Sequence, residues 1–274
     1  MFEQVISYLL NPVTSFLYLL VIFTPIEMLF PAKQKQRFFR AEWRTDICFF
    51  LGQYLLWIGF VFMTLAHFEQ WVGTIFPSSF REHVAQLPFV YQFIGFVLLS
   101  DFLIYWGHRL QHKSDFLWKF HSIHHTAKEL DWLAAHREHP LDALYTIGLI
   151  NLPAIILGFP LQAIAAFTLF RGIWAIYIHS NIKLPMGPLG IIFGSPQIHH
   201  WHHVKDRDVG NYANLCPLMD VLFGTHYCPK HVPEELGVKE EHSNNYIGHL
   251  LYPFYFKNNS KKYHNKDLIN KKSS

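Results

Sequence analysis

The chain has 274 residues, of which 51% are hydrophobic, 17% aromatic and 16% charged, against about 25% charged in an ordinary soluble domain. That composition excludes a disordered chain and argues against a water-soluble globule. A net charge of +3, with the 19 His counted as neutral, requires no nucleic-acid partner, and the three cysteines (Cys48, Cys216, Cys228) are too few for a disulfide scaffold and lack zinc-type spacing.

The chain begins Met-Phe-Glu-Gln without a basic region, so no cleaved signal peptide is expected. Uncharged runs then recur at lengths that cross a hydrocarbon core, for which about 20 apolar residues suffice. They predict single spans near 8–30, 46–67 and 88–107 and a longer region at 143–178. Gly158-Phe159-Pro160 interrupts the last region at its middle, where a helical hairpin turns. Lys33, Lys35, Arg37, Arg40 and Arg44 follow the first span and place that loop in the cytoplasm. Only Arg81 lies between spans two and three, whereas Arg109, Lys113, Lys119, Lys128 and Arg137 follow span three. Both flanks of 143–178 then face the cytoplasm, which requires an even number of crossings. The expected fold is therefore all-α: a multi-pass bundle of three spans plus a helical hairpin, under a cytoplasmic histidine-rich helical cap. Its expected parts are N-terminal spans over 1–107, a metal-binding region over 108–234 that includes the hairpin, and a polar cytoplasmic tail over 235–274.

The histidines are concentrated where the cap is expected. His108 and His112 are spaced i, i+4 at the end of span three and share one helix face. His121, His124 and His125 form an i, i+3, i+4 set, and His199, His202 and His203 repeat that spacing. Each triple can turn three imidazoles to one side of a helix, whereas His200 faces away from its triple. Eight such donors exceed the four ligands of a zinc ion, so two metals fit better. Imidazole suits iron, zinc, copper and nickel alike. Neither His-Glu-x-x-His nor Glu-x-x-His occurs, which counts against a zincin protease and a carboxylate-bridged bundle. His226 and His231 are expected to be solvated.

At these residues the chain resembles the fatty acid hydroxylase / sterol desaturase superfamily of membrane di-iron oxygenases. That family carries a His-x-x-x-His pair and two His-x-x-His-His boxes, matched here by His108/His112, His121/His124/His125 and His199/His202/His203. The likeness extends to Asp101, Tyr105, Trp106 and Arg109 around the first pair, to His179-Ser-Asn181 before the third box, and to Asn211-Tyr212, Asp220 and Phe223-Gly224-Thr225 after it. It covers about 95–228. Met219 and Ala213 depart from the residues common in the family, and of an additional upstream ligand pair only His179 is present, with Ala175 four residues earlier. His136 and His139 are further candidates for a vacant ligand position.

The resemblance implies nine metal-binding histidines, the eight above and His179, holding two iron ions. It implies dioxygen as co-substrate, electrons from a separate donor protein of cytochrome or ferredoxin type, and a lipid substrate drawn from the bilayer. Hydrogen abstraction from a C–H bond would lead to an alcohol or an alkene on a sterol, a fatty acyl chain or a related lipid. Asp101, Asn211 and Asp220 are expected to accept the distal N–H groups of the imidazoles. The membrane is the endoplasmic reticulum in a eukaryote or the inner membrane in a bacterium. The alternative is an integral-membrane zinc-dependent lipid hydrolase, with one metal and a hydrolytic water.

Overall fold

The computed structural model describes residues 11–255 other than Pro160 and Pro185. Among these the architecture is all-helical, with isolated bridges (Pro31 with Ile182, Val204 with Leu236) in place of any named strand. Asn11 caps the first helix, α1 (Pro12–Leu29), where its Oδ1 accepts from the Val13 and Thr14 amides at 3.0 and 3.1 Å. The part of the first predicted span before residue 11 lies outside the described residues. The second span is α2 (Trp43–Gly52), a π-turn (Gln53–Trp57) and α3 (Ile58–Ile75), one helical run of 33 residues. It outruns the expected 46–67 because Arg44, His67 and Glu69 bound the apolar stretch without breaking backbone hydrogen bonding.

A short α4 (Ser78–Ala85) precedes α5 (Phe89–Lys113). The third span, α5, continues past Trp106 and lifts His108 and His112 out of the apolar stretch. Ser114 ends α5 and caps α6 (Asp115–His125), with its Oγ accepting from the Leu117 amide. The region 143–178 is a helix pair, α7 (Pro140–Leu157) and α8 (Leu161–His179). Gly158 closes α7 in the left-handed region at φ 74°, so the break sits where Gly158-Phe159 predicted it. Among the described residues three short α-helices follow: α9 (Pro196–His202), α10 (Leu218–Leu222) and α11 (Tyr246–Tyr255).

α1, the α2–α3 run, α5 and α7 are each long and apolar enough to cross a membrane. Their outward faces carry large bare side chains, among them Val21, Leu29, Leu55, Phe89 and Leu98, as a lipid-facing bundle requires. Inside, α5, α7 and α8 meet around Phe96, Ile104, Ile150, Ala154 and Phe167.

A buried charge network fixes the cap on α2. Arg40 pairs with Asp46 and, at 2.7 Å, with Asp131, while Arg137 pairs with Asp46 at 2.5 Å and Glu42 at 2.7 Å. Each of these charges is matched, so losing one would strand another in low dielectric. The polar tail expected over 235–274 is corrected in part. Leu236 bridges Val204, and α11 packs on α2 and α6 with His249 and Pro253 buried. The apolar residues between Tyr246 and Phe254 have a face to cover, and Trp57 Nε1 anchors it by donating to the Tyr246 hydroxyl at 3.0 Å. Residues 256–274 lie outside the described residues.

Candidate metal centre

Nine buried or half-buried histidines converge where α5, α6, α8 and α9 end. They form two groups: His108, His112, His121, His125 and His202 in one, and His124, His179, His199 and His203 in the other. Within each group the nitrogens lie within 4.8 Å of one another. The groups adjoin, because consecutive residues divide between them. His124 and His125 belong to different groups, as do His202 and His203, and the His125 and His203 rings stack with centroids 4.3 Å apart.

The hydrogen bonds on the outer nitrogens decide what the inner ones can do. His108 Nδ1 faces the Tyr212 carbonyl at 2.8 Å, His112 Nδ1 the Arg207 carbonyl at 2.6 Å and His202 Nδ1 the Gly210 carbonyl at 2.7 Å. His121 Nδ1 faces Asp142 Oδ2 at 2.9 Å. In the other group, His124 Nδ1 faces the Arg137 carbonyl at 3.0 Å and His179 Nδ1 the Ala175 carbonyl at 2.6 Å. A carbonyl or carboxylate only accepts, so each of these Nδ1 atoms carries the proton. Each Nε2 of a neutral ring is then a bare lone pair.

His108 and His121 point these lone pairs at each other, as do His124 and His179, and further ring nitrogens lie beside them. His108 Nε2 is 3.0 Å from His121 Nε2, which is 3.2 Å from His125 Nε2. His124 Nε2 is 2.9 Å from His179 Nε2, which is 3.0 Å from His199 Nε2. The buried Nε2 atoms of His112 and His202 have no hydrogen-bond partner. Lone pairs converging at such distances repel unless a cation lies among them. The donor set therefore fits two metal ions, with up to five imidazoles for one and four for the other.

Burial prepares the rings for that role. It pushes His124 down to about 4, with His121 adding to the effect, and holds His125, His199, His202 and His203 well below the ordinary imidazole value. Neighbouring imidazoles lower the last four further. Neutral imidazole is the form that binds metal.

The carboxylates expected around the histidines take different work. Asp101 does not accept from an imidazole: it pairs with Arg171 at 2.7 Å and takes the Cys216 amide, tying α5 to α8. Asp220 accepts from the Tyr212 and Ala213 amides at 2.8 Å and from the Thr225 hydroxyl at 2.7 Å. It thereby holds the Tyr212 peptide whose carbonyl receives His108. Asn211 stands in the left-handed region at φ 59° and clamps the Ile198 and Tyr227 carbonyls with its amide. None of the three accepts from an imidazole, because backbone carbonyls, which carry no residue signature, occupy most of the positions beside the rings.

The carboxylate that does meet an imidazole is Asp142, which the motif reading missed. It lies in the first turn of α7, is buried, and also accepts from Gln111 Nε2 at 2.6 Å. The signal available was an acidic residue three positions after His139 in an otherwise apolar stretch. His139 caps α7, with Nδ1 accepting from the Leu141 amide, and His136 contacts Gln53, so neither joins a group. His200 turns away, as its spacing predicted, and its Nε2 donates to the Ser180 carbonyl at 3.1 Å.

The fatty acid hydroxylase family profile matches residues 93–225, which include all nine of these histidines. The chain belongs to the fatty acid hydroxylase family. Its curated relatives include the ornithine lipid hydroxylase OlsE of Rhizobium tropici, 32% identical over 67% of this chain and 60% of that protein. The alkylglycerol monooxygenase of Homo sapiens is 31% identical over 46% of this chain and 28% of that protein. A very-long-chain aldehyde decarbonylase, GL1-11 of Oryza sativa subsp. indica, is 33% identical over 50% of this chain and 52% of that protein. The chain thus spans 60% or less of each of these three relatives. No solved structure matches it. For this member of the fatty acid hydroxylase family, the fold brings together nine of the twelve histidines in the shared region and leaves out His136, His139 and His200.

Proposed function

We propose that this chain is a membrane-bound di-iron oxygenase that hydroxylates a C–H bond of a lipid, with its histidine centre on the cytoplasmic side. The observation that carries the reading is the pair of imidazole groups whose bare Nε2 atoms converge at 2.9–3.2 Å. The family and the relatives named hydroxylase and monooxygenase support oxidation of a lipid as the reaction class. His108, His112, His121, His125 and His202 would hold one iron, and His124, His179, His199 and His203 the other. Two such ions supply reductive activation of dioxygen and oxidation of an unactivated C–H bond.

The chain's own groups do the rest. Outer carbonyls and Asp142 hold the Nδ1 protons of His108, His112, His121, His124, His179 and His202 and so hold those six rings in their ligating orientation. Trp118, tilted against His112, and Tyr212, edge-on to it, cover the first group and keep water from it. Electrons come from a separate donor protein, and the lipid enters from the bilayer among apolar helices. A zinc hydrolase needs a single ion, which leaves one whole group of imidazoles without a role.

Elemental analysis of protein purified without chelator, joined to turnover under isotopic dioxygen, tests the proposal. The expected result is about two irons per chain and labelled oxygen in the product. His124→Ala and His202→Ala should each lower metal content by about one ion and abolish turnover, whereas His200→Ala should keep its metal. One tightly held zinc, with activity independent of dioxygen, would overturn the proposal.

A further inference from the structure

A cavity of about 480 Å³ lies away from the histidine rings, between α1, the loop that follows it, and the segment around Trp132. Its volume falls in the range of sites for small organic ligands. Phe16, Leu20 and Met28 of α1 and Leu133 make its apolar wall, and Phe38 and Phe39 stand exposed at its rim. Trp43 lines the cavity beside them, and tryptophan rings settle at the level of lipid head groups.

Of the three charged residues that line this space, Asp131 is taken by Arg40, which leaves Glu27 and Arg37 on different elements. Glu27 lies in the last turn of α1, inside a helix apolar enough to span a bilayer. An ionisable group there is costly and needs a reason. Its Oε1 accepts from the Trp132 amide at 2.8 Å and the Asn181 amide at 2.9 Å, which aims the carboxylate while Oε2 takes neither donor. Arg37 lines the same cavity from the loop, and among the described residues no carboxylate forms an ion pair with it. Arg40, the neighbouring arginine of that loop, is by contrast fully engaged by Asp46 and Asp131.

The cavity also touches the segments that carry the second histidine group. Asn181 follows His179 by two residues, and the Asp131–Leu133 wall leads to Arg137, whose carbonyl receives His124. A molecule seated there lies against the backbone that positions both rings.

We propose that this cavity seats the head of an amphiphilic lipid that bears both a cationic and an anionic group, the cation at Glu27 and the anion at Arg37. A head with one charge leaves Glu27 or Arg37 unmatched, and a neutral head leaves both. A charge-assisted contact gains most where water is partly excluded. The apolar wall takes the first carbons of the chain. That this lipid is the substrate of the histidine centre rests on the oxygenase reading; that it binds here does not.

The test uses the full chain in dodecyl maltoside micelles and a single-chain phosphocholine with a diazirine on its chain. The label is expected on peptides containing 16–28 and 131–133. Unlabelled phosphocholine should displace it at about tenfold lower mole fraction than an alkylphosphate, an alkyltrimethylammonium or an alkyl glucoside of equal chain length. Glu27→Gln and Arg37→Ala should each weaken labelling by about 5- to 30-fold. Thr24→Trp, which fills the cavity, should abolish it. Label spread evenly over the lipid-facing helices, or displacement blind to head-group charge in the unmodified protein, overturns the proposal even if a variant fails to fold. Metal content is measured on the same preparations. Charge-selective labelling of a protein that holds no metal would leave the cavity and sink the oxygenase reading. Two irons with charge-blind labelling would do the reverse.

Discussion

His121 differs from the other rings in handing its Nδ1 proton to a carboxylate, Asp142, and that carboxylate is itself held by Gln111. A carboxylate offers two accepting oxygens, and here both are used by donors. Asn in its place has one accepting and one donating end, so either the Gln111 amide or the His121 N–H would meet another donor. Asp142→Asn should therefore lower metal affinity or turnover by about 10- to 100-fold while the helices persist. Metal titration of the variant, followed beside its circular dichroism, checks both halves. Asp142 could be suspected from sequence only as an acid in an apolar stretch. Its partner lies 21 residues earlier and on another helix, and no spacing rule links the two.

Among the elements, the turn between α9 and α10 contributes most for its length. Gly210 stands at φ 105°, and a Cβ there would lie 2.1 Å from the Thr225 carbonyl oxygen. Its own carbonyl receives His202, and the next residue, Asn211, is left-handed as well. Gly210→Ala must move this peptide, at a cost of about 1–3 kcal/mol for the backbone strain alone. The expected outcome is loss of about one metal ion per chain, read by elemental analysis, with retention in the Gly187→Ala control. Gly187 is also left-handed, at φ 52°, but a Cβ there meets nothing within 4 Å. The helices themselves were legible, because apolar length and Gly-Pro punctuation are local properties. The α11 helix was not, since ten residues near a lysine-rich end gain their order from the α2 and α6 surfaces they cover.

For the whole molecule, buried neutral imidazoles make folding sensitive to acid. Burial pushes His136, His200 and His249 down to about 4, and all three lie outside the two metal groups. Opposing effects, such as Asp46 beside His136, are smaller than the burial. Their folded values lie below the unfolded one, near 6.5, so the unfolded chain binds more protons once the pH falls below that. The stability they contribute is complete above about 6.5 and is lost toward 4, by about 1.4 kcal/mol per pH unit for each group. Metal-stripped protein should therefore show a flat Tm above neutrality and a steep fall between pH 6.5 and 4. A Tm that rises on acidification would contradict this. Metal loading should decline in the same window together with the fold, because the ligating rings stay neutral there only while the fold buries them.

What this sequence determines by itself is what depends on neighbours along the chain. The number of apolar residues between charges fixes where a bilayer can be crossed, and the i, i+3, i+4 spacing fixes which imidazoles leave the same helix face. Both follow from helix geometry and need no partner. Only the tertiary structure decides which rings share a group. Consecutive helical residues point about 100° apart, so His124 and His125 serve different groups, and His202 and His203 do the same. It alone also supplies the carbonyls and the one carboxylate that hold the outer protons, since a peptide group has no identity in the sequence until folding brings it beside a ring.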